Sequence, residues 1–111
     1  MKIDWAYLRK GWTSCKKAQA VLDAKQVTIK TTVDARKQRI DAEAAWELLQ
    51  SAASITTARG KKVQAFNPTS DNKADILKHA MGPSGNLRAP ALHVKDQFII
   101  GFNLDFYEQV F

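Results

Sequence analysis

Residues 3–22 read IDWAYLRKGWTSCKKAQAVL, and the fold turns on how they are understood. Trp5 and Tyr7 alternate within the apolar run IDWAYL, which suits a short buried strand. Arg9, Lys10 and Gly11 follow as a turn. Thr13 or Ser14 is suited to cap a helix, because a hydroxyl there accepts an orphan amide hydrogen of the first turn. Beyond it, Cys15, Ala18, Val21 and Leu22 recur at helical spacing and make one apolar stripe, with Lys16, Lys17 and Asp23 off it. The stretch predicts strand, turn and helix, the helix ending near residues 24–26. Cys15, the chain's only cysteine, stands near the helix start.

Working outward, VTIKTTV at residues 27–33 is β-branched and alternates, which predicts one strand. DARKQRI is a charged loop. Asp41 caps a second helix, AEAAWELLQSAA, whose apolar face is Ala45, Leu48, Leu49 and Ala52. ITTARGKKVQAF at residues 55–66 reads two ways, as a small hairpin turning at Arg59-Gly60-Lys61 or as an irregular connection. A third helix over residues 71–81 carries Ala74, Ile76, Leu77, Ala80 and Met81, and Gly82-Pro83 stops it, with glycine at a left-handed position. ALHVKDQFIIGF predicts a hairpin around Lys95-Asp96. Asn103 caps a last short helix whose core contacts are Phe106, Val110 and Phe111. Two strands joined by a helix, then a closing hairpin, predict an α/β chain with a four-stranded mixed sheet flanked by helices.

At 111 residues the chain fits a single domain over residues 1–111. Apolar residues at 45% and charged residues at 25% are ordinary for a globular protein. No window approaches the roughly 20 apolar residues of a membrane span. MKIDWAYLRK lacks the apolar core of a signal peptide, so the expected location is cytoplasmic with no membrane contact. The lone cysteine agrees, since no internal disulfide can form. A net charge of +6 and a pI of about 9.6 attract anions generally. The basic residues are spread along the chain, so nucleic acid ranks low as a partner; Arg36 to Arg39 and Lys61-Lys62 are the only clusters.

Three pieces of this order resemble the thioredoxin fold, and within it the ArsC/Spx branch beside the glutaredoxins. YLRKGWTSCKKAQAVL resembles the opening in which a strand leads through a Cys-x-x-Cys turn into a Lys-rich helix. NLRAPALHV resembles the segment that sets a cis-proline before the third strand, which makes Pro90 that residue. The hairpin closing on IIGFN, with a terminal helix after it, is the third. The material between residues 41 and 81 resembles the helical insert of the ArsC branch. The chain departs from the family at the nucleophile. Trp12 stands where the first cysteine belongs, and Ala89 separates Arg88 from Pro90. The ordinary dithiol cycle is impossible within one chain, and arsenate reduction by the usual route is disfavoured.

The residues leave two readings of Cys15 open. At a helix start beside Lys16 and Lys17 the thiolate is favoured, which is the reactive form. On the apolar stripe the same residue is a small inert hydrophobe. Trp12, Thr13 and Ser14 are candidates to line a substrate cleft with Ala89 and Pro90, where the resemblance implies pairing with an extended peptide or glutathione; alternatively, Trp12 only packs on the proline. Arg88 is the candidate anion-binding side chain, or it only ties down its own loop. His79 and His93 lack partners at metal-ligand spacing, and no zinc site or resident cofactor is expected.

Two functions follow as expectations. One is thiol-disulfide chemistry of glutaredoxin or arsenate-reductase type through Cys15 alone, completed by glutathione, another low-molecular-weight thiol or a partner-protein cysteine. The other is a non-catalytic interaction or regulatory module, with a protein partner such as the RNA polymerase that Spx-type proteins bind.

Overall fold

The computed structural model describes residues 2–111. Strands β1 (Lys2–Ile3) and β2 (Trp5–Leu8) lead into helix α1 (Thr13–Ala24), and β3 (Thr28–Ile29) and β4 (Thr32–Asp34) return beside them. Helix α2 (Ala42–Leu49) is followed by β5 (Ser54–Arg59), β6 (Lys62–Phe66), a 3-10 turn at Ser70–Asn72 and α3 (Lys73–Ala80). The hairpin β7 (Ala91–Val94) and β8 (Gln97–Ile100) precedes α4 (Leu104–Val110).

The main sheet runs β4-β2-β7-β8-β5-β6, and β1 pairs separately with β3. β2 is parallel to β4 and antiparallel to β7; β8 is antiparallel to β7 and parallel to β5. The α/β class and the mixed sheet agree with expectation, but the sheet has six strands rather than four. The extra pair is the hairpin β5–β6, paired from Ile55↔Phe66 to Arg59↔Lys62. Residues 41–81 are therefore not a purely helical insert. Of the two readings of residues 55–66, the hairpin is the one observed; Thr56 and Thr57 are buried in β5, so no alternation distinguishes it from an irregular connection.

Side chains alternate through the sheet into two cores, as pleating requires. Tyr7, Ala91, Phe98 and Ile100 point to the side covered by Ala45 and Leu49 of α2 and Ile76 and Ala80 of α3. Ala6, Leu92 and Ile99 point to the other, under Ala18 and Leu22 of α1 and Tyr107 of α4. Each fully buried Leu or Ile contributes about 1.5–3 kcal/mol of transfer free energy. Tyr107, absent from the expected core, is fully buried and donates to the Gly101 carbonyl at 3.0 Å. Among the described residues no helix is long and apolar enough to cross a membrane.

Four local expectations need correction. α1 is capped by the backbone of Trp12, not by a Thr13 or Ser14 hydroxyl; Gly11, at φ 92°, turns the chain one residue early. Residues 27–33 split into two short strands because the pairing changes partner. Lys30 donates to Ile3 and Ala6 donates to the Thr31 carbonyl, while Thr31 itself is exposed. α2 stops at Leu49 rather than running through residue 53. Ala74 is exposed, and Met81 ends α3 in an extended conformation, so Gly82 is not left-handed. Asp41 and Asn103 cap as expected, accepting from the amides of Ala44 and Phe106.

Candidate functional site

The turn between β2 and α1 meets the loop ahead of β7 at one end of the sheet. Trp12 and Ser14 from the first, and Arg88 and Ala89 from the second, line a cleft of about 440 Å³ together with Arg9 and Arg59. Four of the expected site residues are thus brought together. Thr13 is exposed beside the cleft without lining it, and Pro90 is buried beneath. The Ala89–Pro90 bond is cis.

Trp12 is 46% exposed, and the Arg9 guanidinium sits over its ring, 4.5 Å from the centroid. Such a contact stabilises by about 0.5–1 kcal/mol at an exposed position.

Arg88 is fixed from two sides. Its Nη1 donates to the His79 carbonyl at 3.0 Å and its Nη2 to the Ala58 carbonyl at 2.8 Å. The first contact places a cation on a carbonyl of the last turn of α3, where the helix dipole favours it. Burial, and then the neighbouring charge of Arg59, push the guanidinium pKa down from its ordinary value. Arg88 therefore does tie down its own loop, and it also contributes positive potential to the cleft. Its amide donates to the Ala80 carbonyl, and the Leu87 amide donates to that of Ile40. Those two amides are not free to pair with a ligand strand.

Cys15 lies elsewhere. It is 6% exposed, packs in the cluster that contains Tyr7 and Ala35, and accepts the Arg9 amide hydrogen at 3.4 Å. Burial pushes the thiol pKa up, and the Arg9 amide only partly opposes it. Desolvation of the charged form is the larger cause, so the shift runs opposite to that expected from the basic flank. The residue borders a second cavity of about 360 Å³, shared with Leu8, Lys16 and Thr32, outside the cleft of Trp12 and Arg88. Arg9 joins the two places, its amide on the sulfur and its side chain on Trp12.

Arg59 and Asn86 also line the cleft, and no local motif marks either as part of it. Arg59 lies at the end of β5, in the stretch that was open to two readings. Asn86 holds the cleft's floor: its Oδ1 accepts the Ile40 amide at 2.6 Å, and its Nδ2 donates to the Tyr7 hydroxyl at 3.0 Å. That hydroxyl in turn donates to the Gln38 carbonyl at 2.6 Å. No local pattern announces contacts across such sequence distances. The histidines stand apart: His79 Nδ1 is 2.9 Å from the Asp75 carbonyl, and His93 stacks on Phe98 at 4.4 Å. No three His, Cys, Asp or Glu side chains among the described residues are grouped to hold a metal.

No protein-family model matches the chain, and no curated protein matches it significantly.

Proposed function

We propose that the chain is a thioredoxin-like domain of the ArsC/Spx type that works as a non-catalytic binding module. Its ligand is an anionic partner segment held in the cleft of Trp12, Ser14, Arg88 and Ala89. The observation that carries the proposal is the separation of that cleft from the thiol. Trp12 and Arg88 face a common space that Arg9 and Arg59 make positive, while Cys15 is buried outside it with a raised pKa. The architecture supports the family reading. The unit β2-α1-β4, the cis bond leading into β7, the antiparallel β7–β8 and α4 follow the order that the resemblance implies. A protein partner in the manner of RNA polymerase belongs to this reading.

The test is a titration of the isotopically labelled protein with poly-L-glutamate, read by amide and indole chemical shifts. Expected are shifts at Trp12, Ser14 and Arg88, unchanged by Cys15→Ala and lost with Arg59→Glu. Shifts scattered over the surface would remove the cleft from consideration.

One observation favours a second reading: Cys15 does border a cavity, with Lys16 on its rim. There the thiolate would attack the disulfide of oxidised glutathione or of a partner protein, forming a mixed disulfide and releasing the other sulfur as a thiolate, in the oxidoreductase role expected from the sequence. Formation of a mixed disulfide on incubation with oxidised glutathione at neutral pH supports it. A thiol that stays free until the protein is unfolded rules it out.

A further inference from the structure

The cleft does not end at Arg88. A third cavity, of about 410 Å³, adjoins it and shares Arg9, Ala35, Ser84 and Asn86 with it. Its other lining residues include Arg36, Lys37 and Arg39, the tract that looks like an ordinary solvated loop in the sequence. Arg39 is oriented by its own bond, Nη2 to the Ser84 carbonyl at 2.7 Å. Five arginines and a lysine thus line two adjoining cavities, and no Asp or Glu lines either. Among the described residues none of the six cations is paired with a carboxylate; the ion pairs that form are Lys25–Glu108 and His79–Asp75.

We infer that these two cavities form one track for a single-stranded nucleic acid. The inference rests on reading the cleft as a binding site and names its occupant. A small anion would neutralise one end and leave the rest of the row self-repelling. A phosphate backbone supplies repeated negative charge along it, and arginine forks match phosphate oxygens. Trp12, 46% exposed at the rim, distinguishes the strand from an acidic peptide. It offers a flat stacking surface already stiffened by Arg9, and base stacking on aromatics beside a cationic groove is how such strands are held without sequence preference. Charge alone, spread through the sequence, did not suggest this; folding concentrates it.

The experiment is fluorescence anisotropy of end-labelled 12-mers of oligo-dT and oligo-U against the intact chain at several salt concentrations, with poly-L-glutamate as competitor. Expected is salt-sensitive binding that poly-glutamate displaces poorly. Trp12→Ala weakens it about tenfold. Arg36→Glu with Lys37→Glu weakens it further and flattens the log–log salt slope by about 1.4, the share of two phosphate contacts on a single strand. Both side chains are exposed, and circular dichroism of the double variant checks that it stays folded. Equal competition by poly-glutamate with no effect of Trp12→Ala overturns the nucleic-acid assignment and leaves an anion cleft standing. Failure to bind either polymer overturns both readings.

Discussion

Arg88 Nη2 donates to the Ala58 carbonyl at 2.8 Å while Nη1 reaches the His79 carbonyl at 3.0 Å. One side chain thereby joins β5, the end of α3 and the loop that leads to Pro90. Both bonds come from a charged donor, the stronger class. Arg88→Ala is expected to lower unfolding free energy by about 2–4 kcal/mol, measured by urea denaturation. Arg88→Lys should recover less than half of that, because an ammonium cannot span both carbonyls with a planar fork. Full recovery by lysine would show that charge, not the two-sided clamp, matters.

The same corner constrains Gly101. Its φ is 92°, and a Cβ there would fall against the Ala58 carbonyl oxygen and within 3.0 Å of Arg88 Nη2. Gly101→Ala should destabilise by more than about 3 kcal/mol, through both backbone strain and collision. Thermal melts and soluble yield check it. By contrast, Gly60→Ala meets nothing within 4 Å and should show only the strain of its φ of 57°.

Asn86 satisfies the Ile40 amide and the Tyr7 hydroxyl at once. Asn86→Ala leaves the Ile40 amide without a partner, while the Tyr7 hydroxyl keeps its bond to the Gln38 carbonyl, and should lower stability by about 1–3 kcal/mol. It should also loosen the loop of Arg36 to Arg39, visible as faster amide exchange at Ile40. An unchanged exchange rate would separate that loop from Asn86.

Burial of Cys15 gives a pH dependence with a definite sign. The folded thiol holds its proton above the ordinary value of 9.0, so the unfolded chain releases its proton first as pH rises. The stability contributed by the neutral buried thiol is complete below that value and declines above it, by up to about 1.4 kcal/mol per pH unit for one proton. Tyr107 acts in the same direction at higher pH; burial, and then Cys15, push its hydroxyl up. Cys15→Ala should flatten the decline above the ordinary thiol value of 9.0 in urea melts run through it. Iodoacetamide should label the folded protein at least about tenfold more slowly than the unfolded one. Equal rates would mean that the sulfur is open to solvent.

What could be read in the sequence was local. Asp41 and Asn103 announced their caps because the oxygen and the amide it accepts from lie three residues apart. The hairpin of β7 and β8 was legible from its alternation. β5 was not, because Ile55, Thr56, Thr57 and Ala58 are all buried; a strand covered on both faces has no period of two. Residues 27–33 failed in the opposite sense. Their alternation is regular, yet the chain changes partner at Lys30 and Thr31, a tertiary fact with no local mark. For Cys15 two local arguments opposed each other, and its place on the apolar stripe outweighed its place near a helix start. The cleft was half legible. Trp12, Ser14, Arg88 and Ala89 were named together, whereas Arg59 and the tract of Arg36 to Arg39 join them only through the folded chain.

The strand order also bears on how the chain comes to be folded at all. β2 and β5 never touch as neighbours; β7 and β8 stand between them. The middle of the sheet is therefore supplied by a late part of the chain, residues 91–100. A chain emerging from the ribosome holds the β2-α1-β4 piece and the β5–β6 piece first, each with one long edge waiting. Within the sheet, the two pieces are joined only through the closing hairpin. Long-range pairing of that kind slows folding and exposes strand edges in the interval. The sheet's centre is thus the keystone that holds the two sides of the arch together.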